Sequence, residues 1–300
     1  MITTGWNEYR GWALRARLMQ AAARRWYVVA FACAVIAAVL GTAADQAASG
    51  TLAAKALTAL AGVFAAITPL IAHYILEVGS EAAWIRARST AEAIKSECLR
   101  LAGKVGVYAQ ADAAEHFRDR LVELAAAARN AGLAPAAAAV EADARCPPEA
   151  LTPEWYVQNR LDEQTEFYRK AQQRHETAAT RLSLANLVLA VIAAVLGVLG
   201  AVGGFSWLGP WVGVVTTIGA MLIASGLLER RKFLAGSYGN MVTTLQLYRT
   251  RFAESAIPFP ALVGGVEDLL GAEHATWRDR MSKAIPLPVA PKGAPAASPA

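Results

Sequence analysis

The sequence predicts an all-α membrane protein: four transmembrane helices arranged as two helical hairpins, with long cytosolic helical extensions. Three observations carry this. First, uncharged apolar runs extend from Trp26 to Ala44, from Ala56 to Leu76 and from Leu182 to Leu228. A spanning helix needs about 20 apolar residues, so the first two runs give one span each and the third gives two spans with a turn. Second, Lys and Arg cluster at only one end of every span. Third, apolar residues outside the spans recur at spacings of three and four, the period of packed helices.

The composition agrees. Charged residues are 18% and hydrophobic ones 55% of 300 residues, and the mean hydropathy is +0.32. These values exclude a purely soluble chain, a disordered one and a collagen-like one. Long unalternated runs also weigh against an outer-membrane barrel, whose strands alternate apolar and polar residues. Thr42-Ala43-Ala44 mimics a signal-cleavage site, but its run follows a long polar leader and exceeds a signal core of about 7–15 residues. A retained helix is expected.

The first unit is placed at residues 1–131, with spans at about 26–44 and 56–76. Arg10, Arg15, Arg17, Arg24 and Arg25 precede the first span, and Arg86, Arg88, Lys95, Arg100 and Lys104 follow the second. The turn between them carries only Lys55, offset by Asp45. Trp26, Tyr27, His73 and Tyr74 mark the inner interface, where amphipathic rings settle. Pro69 lies near the middle of the second span and frees the carbonyl of Ala65, which predicts a kink. Beyond it, Trp84, Ile94 and Leu101 form a cytosolic seam, with Arg88/Glu92 and Glu92/Lys95 expected as exposed ion pairs. Asp112 and Glu115 resemble a capping box that opens a further helix with Phe117, Leu121 and Leu124 on one face. Gly132 and Pro135 stop it.

Residues 132–154 hold four prolines among alanines and read as a linker. The second unit is placed at 155–285, with spans at about 182–202 and 207–228. Arg169, Lys170, Arg174 and Arg181 precede these spans and Arg230, Arg231 and Lys232 follow them, while the turn around Trp207 is uncharged. Tyr238, Met241, Leu245 and Tyr248 continue the seam. Residues 286–300 are Pro/Ala/Ser-rich and read as a disordered tail. The charge pattern places both termini in the cytoplasm. Ala34–Gly41 recurs letter for letter as Ala190–Gly197 at the equivalent place in the second hairpin, so the chain reads as two copies of one helix–hairpin–helix unit.

No catalytic constellation is present. Gly-rich phosphate loops, Gly-x-Ser-x-Gly and His-Glu-x-x-His do not occur. Cys33, Cys98 and Cys146 are odd in number and distant in sequence, so neither a disulfide framework nor a zinc site is expected. Glu163 and Glu166 read as a solvated face. No cofactor, no metal and no enzyme activity are expected. The net charge of +5 is spread along membrane boundaries without interleaved aromatics, so a nucleic-acid partner is not expected. The span centres lack ionisable residues, which disfavours a coupled transporter. What remains are candidates for helix packing or a pore lining: Gly197, Gly200, Gly204, Thr216, Thr217, Ser225 and Pro69. Small residues four apart let helix backbones approach closely, within one chain or between chains.

Two segments resemble a known family. Trp155-Tyr156, Asn159-Arg160-Leu161, Gln164, Phe167-Tyr168 and Lys170-Ala171 before an apolar hairpin, then Tyr238, Leu245, Glu267, Glu273 and Trp277 after it, resemble the bacterial SLATT domains. These are two-span effector domains associated with SMODS nucleotide-synthesising enzymes and SLOG sensing domains. The first half, with Trp84, Arg88, Ala91-Glu92 and Lys95-Ser96-Glu97 after its hairpin, looks like a second subtype in tandem. Its leading helix lacks the Gln and Tyr-x-Lys-Ala pattern. The resemblance implies an inner-membrane effector of a bacterial conflict or anti-phage system. Such an effector oligomerises and forms a pore or disrupts the bilayer when a nucleotide signal or sensor partner activates it. The alternative is a membrane-anchored scaffold or sensor whose cytosolic bundle binds a partner protein.

Overall fold

The computed structural model describes residues 1–77, 80–137, 143–202, 204–224 and 227–282. The structure is 85% helical, and no strand occurs among the described residues. Alanine and leucine, among the best helix formers, make this economical. The helices are α1 (Ile2–Gln46), α2 (Leu52–Glu77), α3 (Ser80–Ala102), α4 (Ala113–Arg129), α5 (Pro153–Tyr156), α6 (Glu163–Ala201), α7 (Gly209–Ala224), α8 (Leu227–Ala253) and α9 (Phe259–Ser282). A π-helical stretch, Val157–Asp162, joins α5 to α6.

Each half of the chain runs through the same order. A long helix enters a hairpin (α1 and α6), a second arm returns (α2 with α3, α7 with α8), and a shorter helix closes (α4 and α9). The junctions after the second and fourth spans, the tail and Ser225 lie outside the described residues.

The chain divides into two compact units. The apolar unit contains Tyr27–Tyr74 and Ala178–Arg231. Four helices are long and apolar enough to cross a membrane. Their apolar side chains are not covered by protein: the most apolar window of α6 is 0% buried and that of α1 is 17%. Leu187, Val191, Val195 and Val198 stand exposed along α6. So large an uncovered apolar surface needs an apolar solvent. At the turns, Gln46 Nε2 donates to the Trp207 carbonyl at 2.7 Å. The helix α2 runs through Pro69 as one element.

The polar unit contains Met1–Trp26, Ile75–Thr177 and Lys232–Ala284. Its core is built from Trp12, Ile94, Phe117, Tyr156, Leu161, Leu245, Leu262 and Val266, all fully buried. The polar leader of the first span is itself part of α1, with Trp6, Trp12 and Ala16 turned into this core. Phe117 of α4 is buried, and Leu121 and Leu124 pack partly buried beside it.

One local expectation is corrected, and the contacts of the linker segment are specific. Asp112 stands at the N-cap of α4 without a side-chain cap bond. Its carboxylate instead meets His116 Nε2 at 3.0 Å, one helical turn on, so the capping box does not form. The segment read as a linker is tied down in its described parts. The Ala136 amide donates to the Gly11 carbonyl at 3.1 Å, Arg15 Nε to the Ala134 carbonyl at 2.8 Å, and Trp6 Nε1 to Asp143 at 3.1 Å. Backbone groups partnered along α1 make this stretch part of the unit. Gly132 does end α4: it sits at φ +75, and the Leu133 amide returns to the Ala128 carbonyl, the closure a left-handed glycine allows. The next helix starts at Pro153, where Thr152 caps the Trp155 amide and Pro153 takes the first turn.

Candidate functional site

The residues nominated for packing or pore lining fall into three groups. Gly200 is a real close approach: a Cβ there would lie 2.9 Å from the Gly209 amide nitrogen, so the second hairpin needs a glycine at its tip. Gly204 is a turn residue at φ +99. A Cβ at Gly197 would meet nothing within 4 Å. The Thr216 hydroxyl donates to Val212 O at 2.8 Å and that of Thr217 to Gly213 O at 2.7 Å, so both hydroxyls bond to their own helix. The seam is core. Trp84, Ile94, Tyr238, Met241 and Leu245 are buried, and Leu101 and Tyr248 pack partly buried against them. These side chains are committed to packing within one chain.

The polar unit contains a cavity of about 580 Å³. One wall is the α3 face carrying Arg88, Glu92 and Lys95. The others come from Arg160, Gln164 and Phe167 of the π stretch and α6, from Tyr238 of α8, and from Glu267, Glu273 and His274 of α9. A second cavity of the same volume meets it, sharing Lys95, Arg160, Gln164 and Phe167 and adding Trp6, Tyr9 and Trp155.

The ion pairs expected along the exposed face of α3 are corrected here. Among the described residues, Arg88, Glu92 and Lys95 make no hydrogen bond or ion pair. The face is covered by α9, and aromatic rings take the cations. The Arg88 guanidinium lies 4.4 Å from the Trp277 ring centroid and Lys95 Nζ 5.5 Å from that of Tyr9. Trp277 in turn meets Trp84 edge-on, with centroids 5.4 Å apart, and stacks on His274 at 5.2 Å.

Beside the cavity sits a fully paired buried cluster. Arg160 Nε and Nη2 donate to the two Glu267 oxygens, each at 2.8 Å. Tyr156 Oη donates to the same carboxylate at 3.0 Å. Arg160 is 3% and Glu267 1% exposed. The π stretch supplies the geometry. Its wider turn turns both Arg160 and Leu161 inward, and such turns recur where a helix must re-aim side chains. Tyr168 Oη donates to Glu273 at 3.0 Å, and Arg100 pairs with Asp268 at 2.7 Å.

The electrostatics follow from this packing. Burial works against the Arg160 charge, but the Glu267 carboxylate outweighs it and holds the guanidinium above its usual range. Burial, with the nearby Arg160 charge, brings Lys95 down to about 8 despite Glu92 and Glu267. Burial also opposes the Glu92 charge, yet Lys95, Arg160 and Arg88 together hold that carboxyl below its usual range. Burial lowers His274 to about 4, with Glu92 opposing and Arg88 adding, so its ring is neutral at pH 7. Burial raises Glu273. The site is an enclosed, charged recess with paired groups at its edge and unpaired ones at its centre.

Sequence reasoning missed this recess. It quoted Arg160 and Glu267 only as parts of a pattern and gave Glu92 and Lys95 to the surface. A signal was present. Glu267 falls on the apolar stripe Leu262, Val263, Val266, Leu270, and Arg160 lies between Tyr156 and Leu161. A charge on a buried stripe needs a partner.

A chain with two apolar hairpins and a packed polar helical unit belongs to the class of helical membrane proteins. Residues 156–277 match the family model of SMODS and SLOG-associating 2TM effector domain 1, so the second half of the chain is similar to that two-transmembrane domain. The match opens on Tyr156 and closes on Trp277, so it contains both the buried cluster and the second hairpin. Residues 10–116 match DUF4231, a family of proteins of unknown function. No curated protein and no solved structure matches the chain.

Proposed function

We propose that this protein is an effector of the bacterial inner membrane, acting in conflict or anti-phage defence. It oligomerises and forms a pore or disrupts the bilayer on activation by a nucleotide signal or a sensor partner. The observation that carries the reading is the match of residues 156–277 to a two-transmembrane effector domain. The first half, with the same element order, acts as a second unit of the same kind. The basic residues flanking the spans support a topology with both termini in the cytoplasm. Gly41, Gly62 and Gly197 have open space where a side chain would stand, which leaves these faces free for neighbouring copies.

Purified protein reconstituted into dye-loaded liposomes tests this. Leakage that rises more steeply than linearly with the protein-to-lipid ratio supports an assembling pore. Retained dye at ratios where cross-linking shows oligomers would overturn it and leave the membrane-anchored scaffold.

A further inference from the structure

We infer that the recess between α3, α6 and α9 is a binding site for a small organic anion carrying a flat ring. This adds a ligand to the effector reading but stands on the recess alone, since a scaffold with the same recess would bind it equally.

The size fits. Pockets for small organic molecules run from about 300 to 1,000 Å³, and this one holds about 580 Å³. The charges decide the sign of the ligand. Arg160 and Arg100 are neutralised by Glu267 and Asp268, and Glu97 by Arg120. Glu273 accepts from Tyr168 and is itself raised. Left without an ion pair among the described residues are Arg88, Lys95 and Arg278 against Glu92 and Glu273. Cations are in excess.

The centre of that excess is Lys95. It is half-buried, lines both cavities and lies against the Tyr9 ring. An ammonium drawn partly out of water without an ion-pair contact is costly, and an anion in the recess would relieve it. The groups facing it are Glu92 on its own helix, Tyr9 of α1, Arg145, Arg160 of the π stretch and Glu267 of α9. Glu267 is already taken by Arg160, so no free carboxylate other than Glu92 competes. The flat ring follows from the wall. Phe167 lines both cavities yet stays 43% exposed. Tyr168 meets it edge-on at 5.3 Å, and Tyr238 adds a third ring to the lining. An uncovered aromatic face beside an unpaired amine suits a planar anion, and Gln164 and Ser96 offer hydrogen bonds at its edge.

Pyridoxal 5′-phosphate combines the required features with an aldehyde, so it reports on the recess without knowledge of the natural ligand. The Lys95 nitrogen adds to the aldehyde carbon and water leaves. Borohydride then reduces the imine to a stable secondary amine. The full chain in lipid nanodiscs is treated at pH 7.5, trapped and digested, and labelling is followed by peptide mass spectrometry. Lys95 should label about tenfold or more faster than exposed Lys104, because the recess would hold the phosphate and concentrate the aldehyde beside the amine. Pyridoxal, lacking the phosphate, should lose most of that advantage, and inorganic phosphate should protect Lys95. An Arg88→Met variant should slow the phosphate-bearing reagent and leave pyridoxal unaffected, and Arg88→Lys should restore the rate. Labelling of Lys95 no faster than Lys104 overturns the proposal. So does equal labelling by the two reagents, which shows an activated lysine without an anion site. If Arg88→Met alters the melting curve, the two reagents on the unaltered chain still decide.

Discussion

Glu267→Gln is the most direct probe of the polar unit. The glutamine is nearly isosteric, so it leaves the volume unchanged and removes only the charge. In the folded chain Arg160 then keeps its guanidinium at 3% exposure with no counter-charge. One of the two donated bonds meets an amide oxygen; the other faces an NH2 group that cannot accept. Breaking a buried pair by removing one partner costs about 3–5 kcal/mol. For a unit of this size, each kcal/mol moves the melting temperature by about 2–4 °C, so a drop of roughly 6–20 °C is expected. Circular dichroism melts of the full chain in nanodiscs measure it. The control is the triple variant Tyr156→Phe, Arg160→Met, Glu267→Leu, which removes every polar atom of the cluster. Apolar replacement of a buried pair is often neutral or better, so this variant should recover most of the loss. A Glu267→Gln melt within a degree of the parent would refute the reasoning. So would a triple variant as unstable as the single one.

Further outcomes are expected. Lys95 has its pKa lowered from 10.5 to about 8, so its penalty is fully present below pH 8 and fades between 8 and 10.5. In the absence of ligand, Lys95→Met should therefore raise the melting temperature at pH 7, with the gain shrinking above pH 8; a gain independent of pH would contradict this. His274 is lowered from 6.5 to about 4, so the chain should lose stability as pH falls from 6.5 to 4, and His274→Phe should flatten that slope in a pH series of melts. Gly5→Ala places a Cβ 2.7 Å from Phe117 Cζ and 2.9 Å from Cys98 Sγ. Against buried, rigid neighbours this should destabilise by about 1–3 kcal/mol, and an unchanged melt would show that α1 can shift. Asn186 Oδ1 is buried without a hydrogen-bond partner, so Asn186→Leu should raise thermal stability of the reconstituted protein; a loss would mean that this oxygen is used.

The spans were the most legible part of the chain because their physical signal is a local count. A run of about 20 apolar residues leaves few alternatives, and four such helices stand in the structure. The seam was equally readable, since Trp84, Ile94, Tyr238 and Leu245 follow a helical period and are buried. The cap of α4 and the tethers of the linker were read less well. Asp112 has two local partners in competition, an amide and His116, and spacing does not rank them. Residues 132–154 look unstructured by composition, yet α1 offers Arg15, Trp6 and the Gly11 carbonyl as tethers, and these are non-local. The recess was illegible for the same reason. Arg88, Glu92 and Lys95 sit at spacings that usually mean an exposed ion-paired face, and only the arrival of α9 makes that face an interior. The consequence is chemical. An exposed ladder of i,i+3 and i,i+4 pairs neutralises itself and binds nothing. Here the Trp277 and Tyr9 rings lie against Arg88 and Lys95, and the same three residues line a cavity without an ion pair among them. Whether a charged helix face is surface or site is decided by what packs onto it, and here that is a closing helix supplied by the other half of the chain.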